Sequence, residues 1–237
     1  MQASASTATS TPHRDQSVTG TQVRVWDRFV RVFHWSLVCT FALAYWSAKV
    51  GKHELHAWLG YIVVGLIAAR IVWGLVGSRH ARFSDFIHAP AAVLRYLKAI
   101  AAGHPRRYLG HNPAGGIMVL ALLAVLAFIT FTGLTVQATI DFDGPLVGIM
   151  KAMTDQEAYA AWSSHAFAVN VVLGMVALHL LGVLLASIQH RENLVRAMIT
   201  GYKISDPQTD APPAAQPTDA GNPVPVFTEL AKSNETA

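Results

Sequence analysis

Trp162-Ser163-Ser164-His165-Ala166-Phe167-Ala168-Val169-Asn170-Val171-Val172-Leu173-Gly174-Met175-Val176-Ala177-Leu178-His179 is an apolar run with a histidine near each end. On a helix, fourteen residues bring the second histidine to within roughly 40° of the first, so the two share a face. At about 1.5 Å per residue they stand roughly 21 Å apart along the axis, most of the ~30 Å hydrocarbon thickness of a bilayer. One such helix can hold a metal centre near each side of a membrane, provided that other segments supply a second ligand for each.

Composition points to a membrane protein. Of its 237 residues 52% are hydrophobic and only 14% charged, where a soluble domain carries about 25% charge. The net charge of +4 comes from basic residues that flank apolar spans. They do not build one basic face, so nucleic acid is not the expected partner. The single cysteine, Cys39, excludes a disulfide within one chain and a cysteine-based zinc or iron–sulfur site. No Cys-x-x-Cys-His is present, which excludes covalent c-type haem.

Four apolar spans are expected, at about 32–48, 56–77, 115–136 and 163–187. Residues 1–20 read as a disordered tail without the apolar core of a signal peptide, and 204–237 as a second disordered tail. Arg24, Arg28 and Arg31 lie in an approach segment at the membrane surface. Between the second and third spans, Asp85–Gly103 reads as an amphipathic segment whose helix Pro90 can open. His190–Lys203 reads as a basic interfacial helix. The expected fold is therefore all-α, an integral membrane four-helix bundle over residues 21–203.

Orientation follows from the loop cations. Arg79, Arg82, Arg95, Lys98, Arg106 and Arg107 crowd the 2–3 loop, whereas the 1–2 loop has Lys49 and Lys52 and the 3–4 loop only Lys151. Both termini and the 2–3 loop are expected on the cytoplasmic side. Each intramembrane histidine then acquires a depth. His56 and His165 fall near the outer side, His34 and His179 toward the inner. Imidazole is the commonest protein metal ligand, and haem iron accepts two axial imidazoles. Zinc wants three or four close ligands, and these histidines come in separated twos. His53 is a rival for His56, which is preferred because it begins the apolar face.

The remaining histidines, His13, His80, His88, His104, His111 and His190, are assigned surface roles, and the tryptophans mostly an interfacial belt. Arg70, inside the second span, either pairs with a haem propionate or sits at the interface facing lipid phosphates. Gly60, Gly65, Gly133 and Gly174 either allow close helix approach or make room for a porphyrin.

From Val23 to Lys203 the chain resembles the bacterial cytochrome b561 / nickel–iron hydrogenase b-type cytochrome family. The resemblance rests on an ordered set of motifs: Arg31-Val32-Phe33-His34-Trp35, His56-Ala57-Trp58-Leu59-Gly60-Tyr61, and Arg70-Ile71-Val72-Trp73-Gly74-Leu75-Val76-Gly77-Ser78. Ala81-Arg82-Phe83-Ser84-Asp85-Phe86 and Gly110-His111-Asn112-Pro113-Ala114-Gly115 follow, then the two-histidine helix and Glu192 to Lys203. The resemblance implies a cytoplasmic (inner) membrane cytochrome with two b haems, on His56/His165 and His34/His179. It also implies electron exchange between a membrane quinone and a periplasmic partner, a c-type cytochrome or a hydrogenase-like protein, as in a respiratory chain. Two rival readings differ in what they predict. A stand-alone superoxide:quinone oxidoreductase needs no protein partner, with Lys49 and Lys52 steering the anion. A haem-free transporter using the histidines for protons or metal gives a colourless protein.

Overall fold

The computed structural model describes residues 21–150 and 152–205. Both expected tails lie outside these residues, except that Ile204 and Ser205, assigned to the second tail, are ordered in a strand. Four long helices carry the apolar spans: α1 (Arg28–Lys49), α2 (His53–Val76), α5 (Pro113–Thr139) and α7 (Asp155–Gln189). Shorter helices fill the connections: α3 (Phe83–Phe86), α4 (Pro90–Ala101), α6 (Val147–Met150) and α8 (Leu194–Thr200). Two strands, β1 (Thr21–Arg24) and β2 (Tyr202–Ser205), pair antiparallel with Thr21 opposite Ser205 and Arg24 opposite Tyr202.

The polar residues flanking the spans start the helices. Asp27 caps α1 by accepting from Val30 N at 2.8 Å. Asn112 caps α5 by accepting from Gly115 N at 2.7 Å, with Pro113 as the first helical residue. Thr154 and Glu157 form a reciprocal capping box at the start of α7. Asp155 and Glu157 therefore belong to the helix, which begins ahead of the span expected from residue 163. At 35 residues, α7 is about 52 Å long by its rise per residue, well beyond a bilayer core. The amphipathic stretch between the second and third spans is likewise two helices, broken before Pro90, which opens α4 as expected.

The small sheet corrects the all-α expectation. Strands of four residues, Thr21–Arg24 and Tyr202–Ser205, are too short for a period-2 pattern to stand out from the neighbouring sequence. The sheet straps the two termini of the bundle together, and Val25 N and Trp26 N extend it by donating to Gly201 O at 2.9 and 3.1 Å. Gly201 has φ +91°, and a Cβ there would meet Trp26 O at 2.7 Å, so the close approach requires glycine. A compact apolar cluster of Val25, Trp26, Val30, Ala81 and Ala197 lies beneath it. Trp26 is thus core, not belt. Glu192 ties this strapped end to the α4–α5 connection, pairing with Lys203 at 3.3 Å and with Arg107.

Within the membrane region α1 packs on α2, α2 on α5, and α5 closely on α7. The central core layer draws Val63 and Ile67 from α2, Leu126 and Ile129 from α5, and Ala168 and Val172 from α7, with Leu37 and Phe41 of α1 against it. Among the described residues α7 makes no comparable backbone approach to α1 or α2.

The Asp27 carboxylate joins α1 to α2. Besides capping α1 it accepts from Trp73 Nε1 at 2.9 Å and from Ser78 Oγ. Burial pushes this carboxyl upward, but the bonds from Ser78, Val30, Trp73 and Phe29 outweigh it and hold it below the usual Asp value. A carboxyl depressed in the fold contributes its stability above the unfolded pKa of about 3.9 and loses it as pH falls through the lower folded value. Asp27→Ala removes a helix cap, costing about 1 kcal/mol, and leaves Trp73 Nε1 unpaired for roughly 1–3 kcal/mol more. Thermal unfolding in detergent is expected to show Asp27→Ala destabilised at pH 7, with the gap to wild type closing as pH falls below about 4.

Candidate metal centres

Val172 sits midway in sequence between His165 and His179 and is buried in the central layer. The two histidines of α7 therefore flank an apolar plug on one helix face. All four intramembrane histidines are half-buried. None is packed solid, and none is open.

At the end away from the strap, His56 of α2 and His165 of α7 face each other, ring centroids 6.0 Å apart and planes nearly perpendicular. Each is oriented through Nδ1. His56 Nδ1 donates to Ala44 O of α1 at 2.9 Å, and His165 Nδ1 to Ile129 O of α5 at 3.0 Å. An Nδ1–H committed to a carbonyl leaves Nε2 unprotonated, the state that binds a metal. Thr132 Oγ1 also stands 3.3 Å from His165 Nδ1. Gly133 makes the approach of α5 feasible, since a Cβ there would lie 3.1 Å from His165 Cε1. Of the two roles open to the glycines, Gly133 serves close approach. Gly60, Gly65 and Gly174 have nothing within 4 Å of where a Cβ would stand, so they border open space.

At the strapped end His34 of α1 and His179 of α7 lie within electrostatic reach of each other. His34 Nδ1 is sealed from solvent and has no hydrogen-bond partner. Arg70 shares this end. It is 2% exposed, which removes the reading in which it faces lipid phosphates. Its Nη2 donates to Ala81 O at 3.1 Å, and the guanidinium lies 5.1 Å from the centroid of the Phe83 ring. Nη1 is buried and unpartnered. Gly74 leaves the room that Phe83 fills, for a Cβ there would collide with the ring.

His111 departs from its expected surface role. Its ring packs 4.7 Å from Trp26 and 4.7 Å from Phe86, and its Nδ1 is buried without a partner. Burial, with Arg70 nearby, pushes it down to about 3, so at neutral pH it is an uncharged imidazole. Among the described residues no three His, Cys, Asp or Glu side chains converge as a polydentate metal site. Sequence reasoning missed Asp27 and His111 as organising residues. An acid just before an apolar span is a cap signal for the first; for the second only the Gly-His-Asn-Pro motif was visible.

Residues 25–201 match the prokaryotic cytochrome b561 family, and the chain belongs to it. The match begins and ends on Val25 and Gly201, the pair whose hydrogen bond closes the strap. A probable Ni/Fe-hydrogenase B-type cytochrome subunit of Rhizobium leguminosarum bv. viciae is 23% identical over 235 residues, covering 84% of this chain and 95% of that protein. No solved structure matches. The family and the four apolar helices make this a multi-pass membrane b-type cytochrome of electron transfer, a class that carries haem b.

The residues present fit that group. A pair of facing imidazoles with tied Nδ1 atoms suits axial ligation, the stand-off of α7 leaves space between facing helices, and a buried guanidinium with a vacant donor suits a carboxylate. Gly133→Val is expected to displace the His165 ring and lower haem per chain, measured as pyridine haemochrome against protein. Ser163→Ala, whose hydroxyl bonds only its own helix at Ala160 O, should leave haem content unchanged.

Proposed function

We propose that the chain holds two b haems and carries electrons across the bacterial inner membrane, between the quinone pool and a redox partner on the outer side. His56 and His165 would hold one haem and His34 and His179 the other. Arg70 is the partner of a propionate on the second. The observation that carries this reading is the facing pair His56/His165, each ring held through Nδ1 by the carbonyl of a different helix.

Haem contributes reversible one-electron chemistry at its iron. The protein's share is orientation and environment. Ala44 O and Ile129 O fix the tautomer of the two ligands and raise their basicity. The layer of Val63, Ile67, Leu126, Ile129 and Val172 keeps water from the space between the two levels. Arg70 has its nearest acid, Asp27, already engaged by Val30, Trp73 and Ser78. A buried cation in that state favours an incoming carboxylate.

The strapped end is taken as cytoplasmic because the 2–3 loop and both chain ends carry most of the cations. The outer haem then exchanges electrons with a periplasmic c-type cytochrome or, as the name of the rhizobial relative suggests, a hydrogenase-like protein.

The dithionite-reduced minus oxidised spectrum with a pyridine haemochrome assay is the test. Two b haems per chain are expected. His179→Ala and His56→Ala should each lower the count from two to one, with different haems surviving as judged by midpoint potential. Retention of both haems by His179→Ala would overturn the pairing, and a colourless, folded, haem-supplied protein would overturn the cytochrome reading itself. Replacing Arg70 with Gln removes a positive charge that favours the reduced haem, so the midpoint potential of the inner haem should fall in a redox titration.

A further inference from the structure

A cleft of about 890 Å³ lies outside the histidine pairs, between α4 and the segment 104–111 that leads into α5. That volume is in the range of ligand sites. Arg79, Arg95, Arg106 and Arg107 line it, against one carboxylate, Asp85. Asp85 is itself paired with Arg82 at 3.4 Å. Arg107 is engaged by Glu192. Arg79 and Arg95 have no ion pair among the described residues.

Uncompensated guanidinium groups around a concavity focus positive potential and suit the fork geometry of a phosphate. The wall adds uncharged donors. Burial, and after it the neighbouring Tyr108, push the Tyr96 phenol up to about 12, so it keeps its proton and can donate. His111, with its unpartnered buried Nδ1, forms part of the same wall.

The outer surface of α4 says where such an anion comes from. The twelve-residue helix is too short to span a bilayer. Leu94 and Leu97 nevertheless stand 60% and 47% exposed beside Arg95 and Lys98, the pattern of a helix bedded at the headgroup level. Arg95 thus belongs both to the cleft and to a helix whose apolar side chains meet acyl chains.

We propose that the cleft between α4 and residues 104–111 binds the phosphate of an anionic membrane phospholipid, with Arg79 and Arg95 as its principal cationic contacts. A lipid seated there would join the interfacial helix to the entry of α5 from within the membrane surface.

The full-length, delipidated protein in a neutral detergent is titrated with phosphatidylglycerol or phosphatidylcholine and bound lipid is counted by native mass spectrometry. Phosphatidylglycerol is expected to bind preferentially. The double variant Arg79→Gln/Arg95→Gln should weaken it about tenfold or more, from about 1 kcal/mol per cation near a membrane surface. Arg79→Lys/Arg95→Lys should retain most of the preference. Lys52→Gln, at an exposed cation that precedes α2 at the opposite end of the bundle, should match wild type; unchanged helical circular dichroism shows that each variant is folded. Equal binding of phosphatidylcholine, or full phosphatidylglycerol binding by the Gln double variant, would overturn the site. Displacement by millimolar inorganic phosphate, but not by chloride of equal ionic strength, would assign it to free phosphate and overturn the lipid.

Discussion

Imidazoles on opposing helices can face one another only if those helices stand apart, and this constraint organises the bundle. The ordinary way to hold a membrane helix is to pack it against its neighbours. Helix α7 presents both His165 and His179, and it meets α2 through side chains of the central layer, Ala168 and Val172 against Val63 and Ile67, without the close backbone approach that it makes to α5. It is secured by α5, where Gly133 lets the backbone come up to His165 and Ile129 O takes its Nδ1–H. The buried hydroxyls Thr132 and Thr135 return their protons to carbonyls of their own helix, so α5 offers α7 an almost apolar face with no unpaired donors. Rigidity comes from one neighbour and spacing from the other two.

The two histidine levels are built differently. Away from the strap, both rings are fixed by carbonyls before any cofactor arrives. At the strapped end, His34 Nδ1, Arg70 Nη1, Arg31 Nε and His111 Nδ1 are all buried without partners. Unsatisfied buried polar atoms cost roughly 1–3 kcal/mol each, and four concentrated at one end mark it as the part of the bundle that an additional polar group completes. On the proposed reading the two haems therefore differ in environment, which sets different potentials through hydrogen bonding and nearby charge.

The four apolar spans, and which histidines share an end of the bundle, were legible because long apolar runs and fixed helical rise leave little freedom. Pro90 as the opener of a helix was legible for the same kind of reason, local backbone chemistry. What escaped depends on contacts distant in sequence. Nothing in Thr21–Arg24 announces a partner at Tyr202–Ser205. The burial of Arg70 needs Ala81 and Phe83 folded back over it. His111 sits among loop-forming residues, and only the packing of Trp26 and Phe86 makes it interior. The start of α7 is a different case: the Thr154–Glu157 capping box was written in the sequence, but it lies ahead of the apolar run from which the span was read.

The strap also imposes an order of assembly. Thr21 is among the first described residues to leave the ribosome and Ser205 among the last, and they are paired. Chains emerge from the N-terminus at a few residues per second, so β1 waits through the insertion of all four helices before β2 exists. The level formed by His56 and His165 requires only residues through α7. The other level lies beneath Trp26, Gly201 and the strand pair, and closes only on a finished chain. A polypeptide cut short before Tyr202 would insert, yet leave that end unsealed, exposing the apolar cluster of Val25, Trp26 and Val30 as a mark of incomplete synthesis.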